Sequence, residues 1–193
     1  MGDFELIGGK EKRAIRIVEY DPGWPERFRR ERERIAGALG DRALRIDHVG
    51  STSVPGLVAK PIIDIDVSVA DVEDERGYLD ALLGAGYVLR VREPGHRMVR
   101  TVARDVHVHV CAAGSEWERR HLLFRDWLRE HPKDREAYGR LKQELSARDW
   151  ADMNEYAEAK GPFIAEVTAR AERAGGVRPV TTGLDAGANG QRA

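Results

Sequence analysis

One cysteine, Cys111, among 193 residues excludes an intramolecular disulfide framework and makes a reducing, cytoplasmic setting the expectation. No run comes near the ~20 consecutive apolar residues that a membrane span requires. The opening "MGDFELIGGKEKR" lacks the basic start and apolar stretch of a signal peptide. An excess of charge of either sign is missing too. The 32 basic and 33 acidic side chains leave a formal net charge of -1, which argues against nonspecific nucleic-acid binding driven by counterion release. Also absent are a Gly-x4-Gly-Lys-Ser/Thr phosphate loop, a Cys-x2-Cys zinc spacing and any internal repeat. What remains is 41% hydrophobic and 34% charged, enough for one domain with a real core and a well-solvated surface.

Along the chain, residues 1–12 read as a flexible leader, 13–174 as one domain and 175–193 as a Gly-rich, polar, disordered tail. "RAIRIVEYD" has short β character. "DPGWPERFRRERERIAGALG" predicts a helix, with Pro25 tolerated early and Gly40 as the stop. "ALRIDHV", "KPIIDIDVSV", "YVLRVR", "RMVRTVA" and "DVHVHVC" read as strands, the last two joined by a tight turn, with a helix over "DVEDERGYLDALLGAGY" between the second and third. From about residue 115 the pattern is helical: Ser115 and Glu118 make one capping box, Asp152 and Glu155 another, Pro132 ends a helix, and Gly161-Pro162 splits one. The expected fold is α+β, with a mixed sheet of about five strands flanked by helices and a helical C-terminal half.

Within "IIDIDV" side chains alternate, so Ile63, Ile65 and Val67 point one way and Asp64 and Asp66 the other. Two adjacent carboxylates on one face repel each other, and burying them unpaired costs several kcal/mol. A divalent cation is an economical neutraliser; a solvated strand edge explains the Asp-x-Asp equally well when it stands alone. Upstream, Gly50 follows a strand and precedes three hydroxyls, Ser51, Thr52 and Ser53, a turn able to aim N–H and O–H groups at an anion.

An apolar residue, Gly50-Ser51, twelve intervening residues and then Asp64-x-Asp66 resemble the signature of the nucleotidyltransferase (polymerase-β-like) superfamily. "YDPGWPERF", "HVGSTSVPGLVAKPIIDIDVSV", "HVHV", "RRHLLFRDWLREHP" and "EYAEAKGPFI", spread over residues 16–169, are together similar to the GrpB family, some of whose members are joined to a dephospho-CoA kinase. This resemblance implies a nucleotidyltransferase-like fold. It also implies a metal-dependent transfer of a nucleoside monophosphate from a nucleoside triphosphate to an unidentified small-molecule acceptor. Gly50, Ser51, Thr52 and Ser53 would cradle the phosphates, and Asp64 and Asp66 would hold the cation, Mg²⁺ or Mn²⁺ favoured and Zn²⁺ an alternative. A third carboxylate is usual on a later strand. Here that strand carries His107 and His109, so His109 is the expected metal or base residue and His107 a weaker substrate ligand. Lys60 and, by its closeness to the "PGH" turn, Arg97 complete the expected phosphate site. Lys160 reads as a solvated helix face, and His48 as a residue that orients the turn or lines the pocket. Two alternatives stay open: a non-catalytic nucleotide- or metal-binding module, and a metal-dependent hydrolase using the Asp/His site. No pattern speaks to oligomeric state, and no motif suggests a membrane partner.

Overall fold

The chain is described here by a computed structural model covering residues 4–12 and 14–175. Six strands, β1 (Glu5–Leu6), β2 (Arg45–Val49), β3 (Ile63–Val69), β4 (Tyr87–Glu93), β5 (His96–Thr101) and β6 (Val106–Ala112), form one mixed sheet ordered β1-β4-β5-β6-β3-β2. β3 and β6 run parallel and every other neighbouring pair antiparallel. The β-branched, alternating stretches of β3 and β6 suit adjacent interior positions, where one face must pack and the other can stay polar.

Among the described residues six α-helices complete the fold: α1 (Trp24–Leu39), α2 (Leu79–Gly84), α3 (Glu116–Glu130), α4 (Pro132–Ser146), α5 (Met153–Glu158) and α6 (Gly161–Gly175). α1 and α2 cover one sheet face. Their Trp24, Ile35, Leu39 and Leu82 meet Ile63, Ile65, Val67, Val108 and Val110 in the main core, where each fully buried side chain contributes about 1.5–3 kcal/mol. α3 lies over β2 and β6 on the opposite face, with α4 and α6 packed against it. A smaller core of Val54, Leu57, Leu128, Tyr138 and Val167 fastens these helices to the loop between β2 and β3. Ser115 caps α3 by accepting from the Glu118 N–H, and Asp152 caps α5 by accepting from Asn154 and Glu155.

Three expectations change. The sheet has six strands rather than about five, because Glu5–Leu6 of the expected leader pairs with Arg92 and Val91 of β4. Two ion pairs also tie the leader down: Lys10 meets Asp152 at 2.9 Å, and Glu11 meets Arg100 at 2.6 Å. "RAIRIVEYD" supplies only an isolated bridge, Val18 to Ala59. From residue 176 on, the expected disordered tail lies outside the described residues. No helix among the described residues is long and apolar enough to cross a membrane.

Candidate functional site

Residues paired directly across neighbouring strands share a face. The register therefore lays polar rows across β2, β3, β6 and β5: Val49–Asp64–His107–Arg100, then Asp47–Asp66–His109–Met98, then Arg45–Ser68–Cys111–His96. The first row, with His109 and Met98 of the second, forms the floor of a cleft of about 940 Å³ whose far wall is built by the C-terminal helices. At its centre Asp64, His107 and His109 each offer a ligand atom, all within 4.8 Å of one another.

The spacing suits a metal. Asp64 Oδ1 stands 3.4 Å from His107 Nδ1 and 3.8 Å from His109 Nε2. Two ligands bound at 2.0–2.2 Å to a tetrahedral ion lie about 3.4 Å apart. The surrounding groups also orient the donors. Glu93 Oε1 lies 2.6 Å from His96 Nδ1, and His96 Nε2 lies 3.0 Å from His109 Nδ1. Burial pushes His96 down to about 2, with the neighbouring His109 and His121 acting in the same direction, so its ring is neutral. Donating Nδ1–H to Glu93, it accepts at Nε2 from His109 Nδ1–H. That leaves His109 Nε2 turned to Asp64. Burial opposes a proton there, but the bond to Asp64 and the charges of Asp66, Asp64 and Glu93 outweigh it and raise the His109 pKa. Burial likewise disfavours the Asp64 carboxylate, yet the two imidazoles hold it well below the usual range. A bound cation would take the place of that proton, and the carboxylate–histidine–histidine chain behind it is the kind of support that fixes metal-ligating imidazoles.

Gly50 closes the site from the β2 side. Its φ is +66°, and a Cβ at this position would sit 2.5 Å from Asp64 Oδ2. Only glycine lets the turn lie against the carboxylate. The three following hydroxyls do not act alike. Ser51 faces the cleft and accepts from Lys142 Nζ at 2.9 Å. The Thr52 hydroxyl donates to the Ile62 carbonyl and accepts from His48 Nε2, each at 3.0 Å. His48 is stacked on Phe28 on the α1 side of the sheet, and burial lowers it to about 4. It thus orients the turn through Thr52 and does not line the cleft. Ser53 folds back to donate to the Gly50 carbonyl at 2.6 Å, which withdraws its hydroxyl from the expected phosphate cradle.

The carboxylate pair is split. Asp66 shares the face of Asp64 but is only 1% exposed, and it accepts from His121 Nδ1 of α3 at 2.9 Å. It stands outside the three-donor group, where His107 takes the place expected of it. Arg97 is a clearer correction. Its register partner is Val110, so it lies on the opposite sheet face, where it donates to Glu75 and Glu73 at 2.6 Å each. Arg100 is the arginine of β5 on the cleft face. It is held by Glu11, whose carboxyl the Arg100 hydrogen bonds draw down to about 2. Asp105, at the entrance to β6, is bonded to Thr101 and Arg27. Cys111 is buried, which pushes its thiol up to about 11, and it is not among the three donors.

Three cleft residues escape a linear reading. Trp117 stacks on His96 at 3.9 Å between ring centres and lies 4.6 Å from the His121 ring. His121 and Lys142 sit 57 and 78 residues beyond Asp64. The available signal was helical spacing: Trp117, His121, Phe124 and Leu128 share one face of α3, and Lys142 lies among Tyr138 and Leu145 on the inward face of α4. Trp117 offers a direct readout. Titration with Mn²⁺ or Zn²⁺ is expected to change tryptophan emission saturably, and the change should vanish in Trp117→Phe. An unchanged response in that variant would place the ion elsewhere.

The family model described as GrpB protein matches residues 14–170. A UPF0157 protein of Streptomyces coelicolor is 53% identical over 167 residues, spanning 86% of this chain and 89% of the relative. Another from Halalkalibacterium halodurans is 46% identical over 161 residues, spanning 82% and 83%. A crystal structure of conserved protein GrpB from Enterococcus faecalis aligns with a TM-score of 0.73 at 33% identity, over 82% of this chain and 98% of that one. The mixed sheet, the cleft it floors and these matches lead to one assignment: the chain belongs to the GrpB family.

Proposed function

We propose that this protein is a metal-dependent nucleotidyltransferase that passes a nucleoside monophosphate from a nucleoside triphosphate to a small-molecule acceptor. The observation that carries the proposal is the contact between Gly50 and Asp64, which sets a hydroxyl-bearing turn directly beside the Asp64–His107–His109 donors on the floor of a large cleft. A divalent ion held by these three residues would neutralise phosphate charge and polarise the reacting phosphoryl group. Two imidazoles with one carboxylate suit Mn²⁺ or Zn²⁺ better than Mg²⁺.

The chain's own residues supply position and proton transfer. Ser51 and the backbone after Gly50 orient the phosphates, with Lys60 also lining the cleft. The base role expected of His109 passes to His121, because both His109 nitrogens are engaged by His96 and Asp64. Asp66 holds the Nδ1–H of His121, an arrangement that leaves Nε2 for the acceptor hydroxyl or amine. The acceptor then bonds to the α-phosphorus as the bond to pyrophosphate breaks, and its proton goes to His121.

One observation favours hydrolysis as a second reading: only one carboxylate belongs to the donor group, so the usual paired-acid platform is incomplete. The test is incubation with each nucleoside triphosphate, Mn²⁺ and a fractionated metabolite extract. Acceptor-dependent pyrophosphate release is the expected result. Acceptor-independent release of phosphate would identify a hydrolase, and saturable binding without turnover would identify a binding module.

A further inference from the structure

Three lysine side chains gather in the cleft beside the metal donors. Lys142 is only 2% exposed, and its ammonium donates to the Ser51 hydroxyl at 2.9 Å and to the Val58 carbonyl. Its Nζ lies 4.7 Å from the Tyr138 ring centre. Lys160 and Lys60 converge on one side chain, with their nitrogens 4.8 and 5.0 Å from the Tyr156 ring centre. These three cations come from α4, from the turn before α6 and from the loop before β3, and all line the one cleft.

Among the described residues no carboxylate comes within ion-pair distance of Lys142 or Lys160; the charge of Asp64 acts on both from further away. Burial, together with repulsion from the neighbouring lysines, pulls Lys142 down to about 7 and Lys160 to about 8. A packing role accounts for the Lys142 bond to Val58, which ties α4 to the β2–β3 loop. It does not account for Lys160, whose ammonium makes no hydrogen bond or ion pair among the described residues, nor for a second ammonium, that of Lys142, in the same cleft wall. Like charges so placed are costly unless an anion joins them.

We infer that Lys142, Lys160 and Lys60, with the Ser51 hydroxyl, form a polyphosphate subsite that engages its ligand independently of the metal donors. The ligand class follows from the groups present. Several point charges and a hydroxyl match a linear run of phosphate oxygens better than a single carboxylate, and Ser51 joins the lysine wall to the Gly50 turn and so to Asp64. A nucleoside triphosphate would thus lay its outer phosphates on the lysines and its inner phosphate at Asp64, His107 and His109. That placement rests on the nucleotidyltransferase reading; the subsite itself does not.

The deciding experiment is calorimetric titration of the full chain with sodium tripolyphosphate in EDTA, repeated for Lys142→Met and Lys160→Met. The wild type is expected to bind, and each variant to bind at least 10-fold more weakly while retaining its Mn²⁺-dependent tryptophan signal. Lys160 is only half-buried, so its variant stands as a check if Lys142→Met folds poorly. No binding by the wild type, or equal binding by wild type and Lys160→Met, would overturn the subsite. Metal-free binding without any nucleotidyl transfer would support the subsite and count against the transferase. Transfer with an unchanged KM for the triphosphate in both variants would do the reverse.

Discussion

Asp64→Asn is expected to weaken divalent-metal binding by roughly 100-fold or more, a larger loss than the 10–100-fold typical of removing a supporting group. Asp64 is the only anion in the donor group and the only member that both imidazoles approach. An amide keeps the shape, removes the charge and can turn an N–H toward the histidine nitrogens. Asp66→Asn should behave differently, although it is the same change two residues on. Asp66 is sealed beneath His121, so its loss should spare most metal affinity and lower turnover through the His121 base. Calorimetry with Mn²⁺ and pyrophosphate release separate the two effects. Equal loss of metal by both variants would mean that the aspartates bind as a pair after all. The pH dependence has a definite sign. Metal displaces the proton that Asp64 favours on His109, whose pKa lies above its ordinary value. Affinity should therefore be highest at alkaline pH and fall as pH drops through that raised pKa, with proton release on binding throughout this range.

The two aspartates also mark how far the sequence reaches. Their common face was legible because alternation in β3 is local: seven residues, apolar and polar in turn, leave no other arrangement. The Gly50 turn was legible for the same reason. What set the roles of the pair apart was a helix 55 residues later that laid His121 over one carboxylate and left the other to the β6 histidines. Arg97 failed by a single residue of register. A strand of six residues has two faces, and the turn before β5 does not say which face looks into the cleft; the partner Val110 does. The leader was misread because two residues of edge pairing and two ion pairs, to Arg100 and Asp152, carry no periodic signal. Lys142 was hidden by its own chemistry, since a lysine in a charged helix is normally on the solvated side.

Lys142 is also where stability and binding pull apart, and Lys142→Met is expected to raise thermal stability at pH 7 while weakening polyphosphate binding. The folded state holds this amine near pKa 7, against 10.5 when solvated. Between those values the unfolded chain binds more protons than the folded one, so stability climbs as pH rises and is lowest at and below neutrality. Burial is the main cause of this shift, and the charged groups that act on Nζ come from several elements: Lys160, Lys60 and, with opposite sign, Asp64. Taken at about 1.4 kcal/mol per pKa unit, keeping the ammonium in this wall costs on the order of 3–5 kcal/mol at pH 7. Methionine removes that cost but leaves the Ser51 hydroxyl and the Val58 carbonyl without their donor, a loss of ~1–3 kcal/mol. The balance is centred on a net gain of ~2 kcal/mol, which for a chain of this size corresponds to a Tm higher by roughly 4–8 °C. The wild type should also gain stability between pH 7 and pH 10 more steeply than the variant. Tripolyphosphate should narrow the difference from the other direction, because an anion beside Lys142 favours its charged form and stabilises the wild type more than the variant. A Tm lowered by Lys142→Met at pH 7, with the pH slope unchanged, would mean that the ammonium is already neutralised within the fold and that the cleft has no need of an anion.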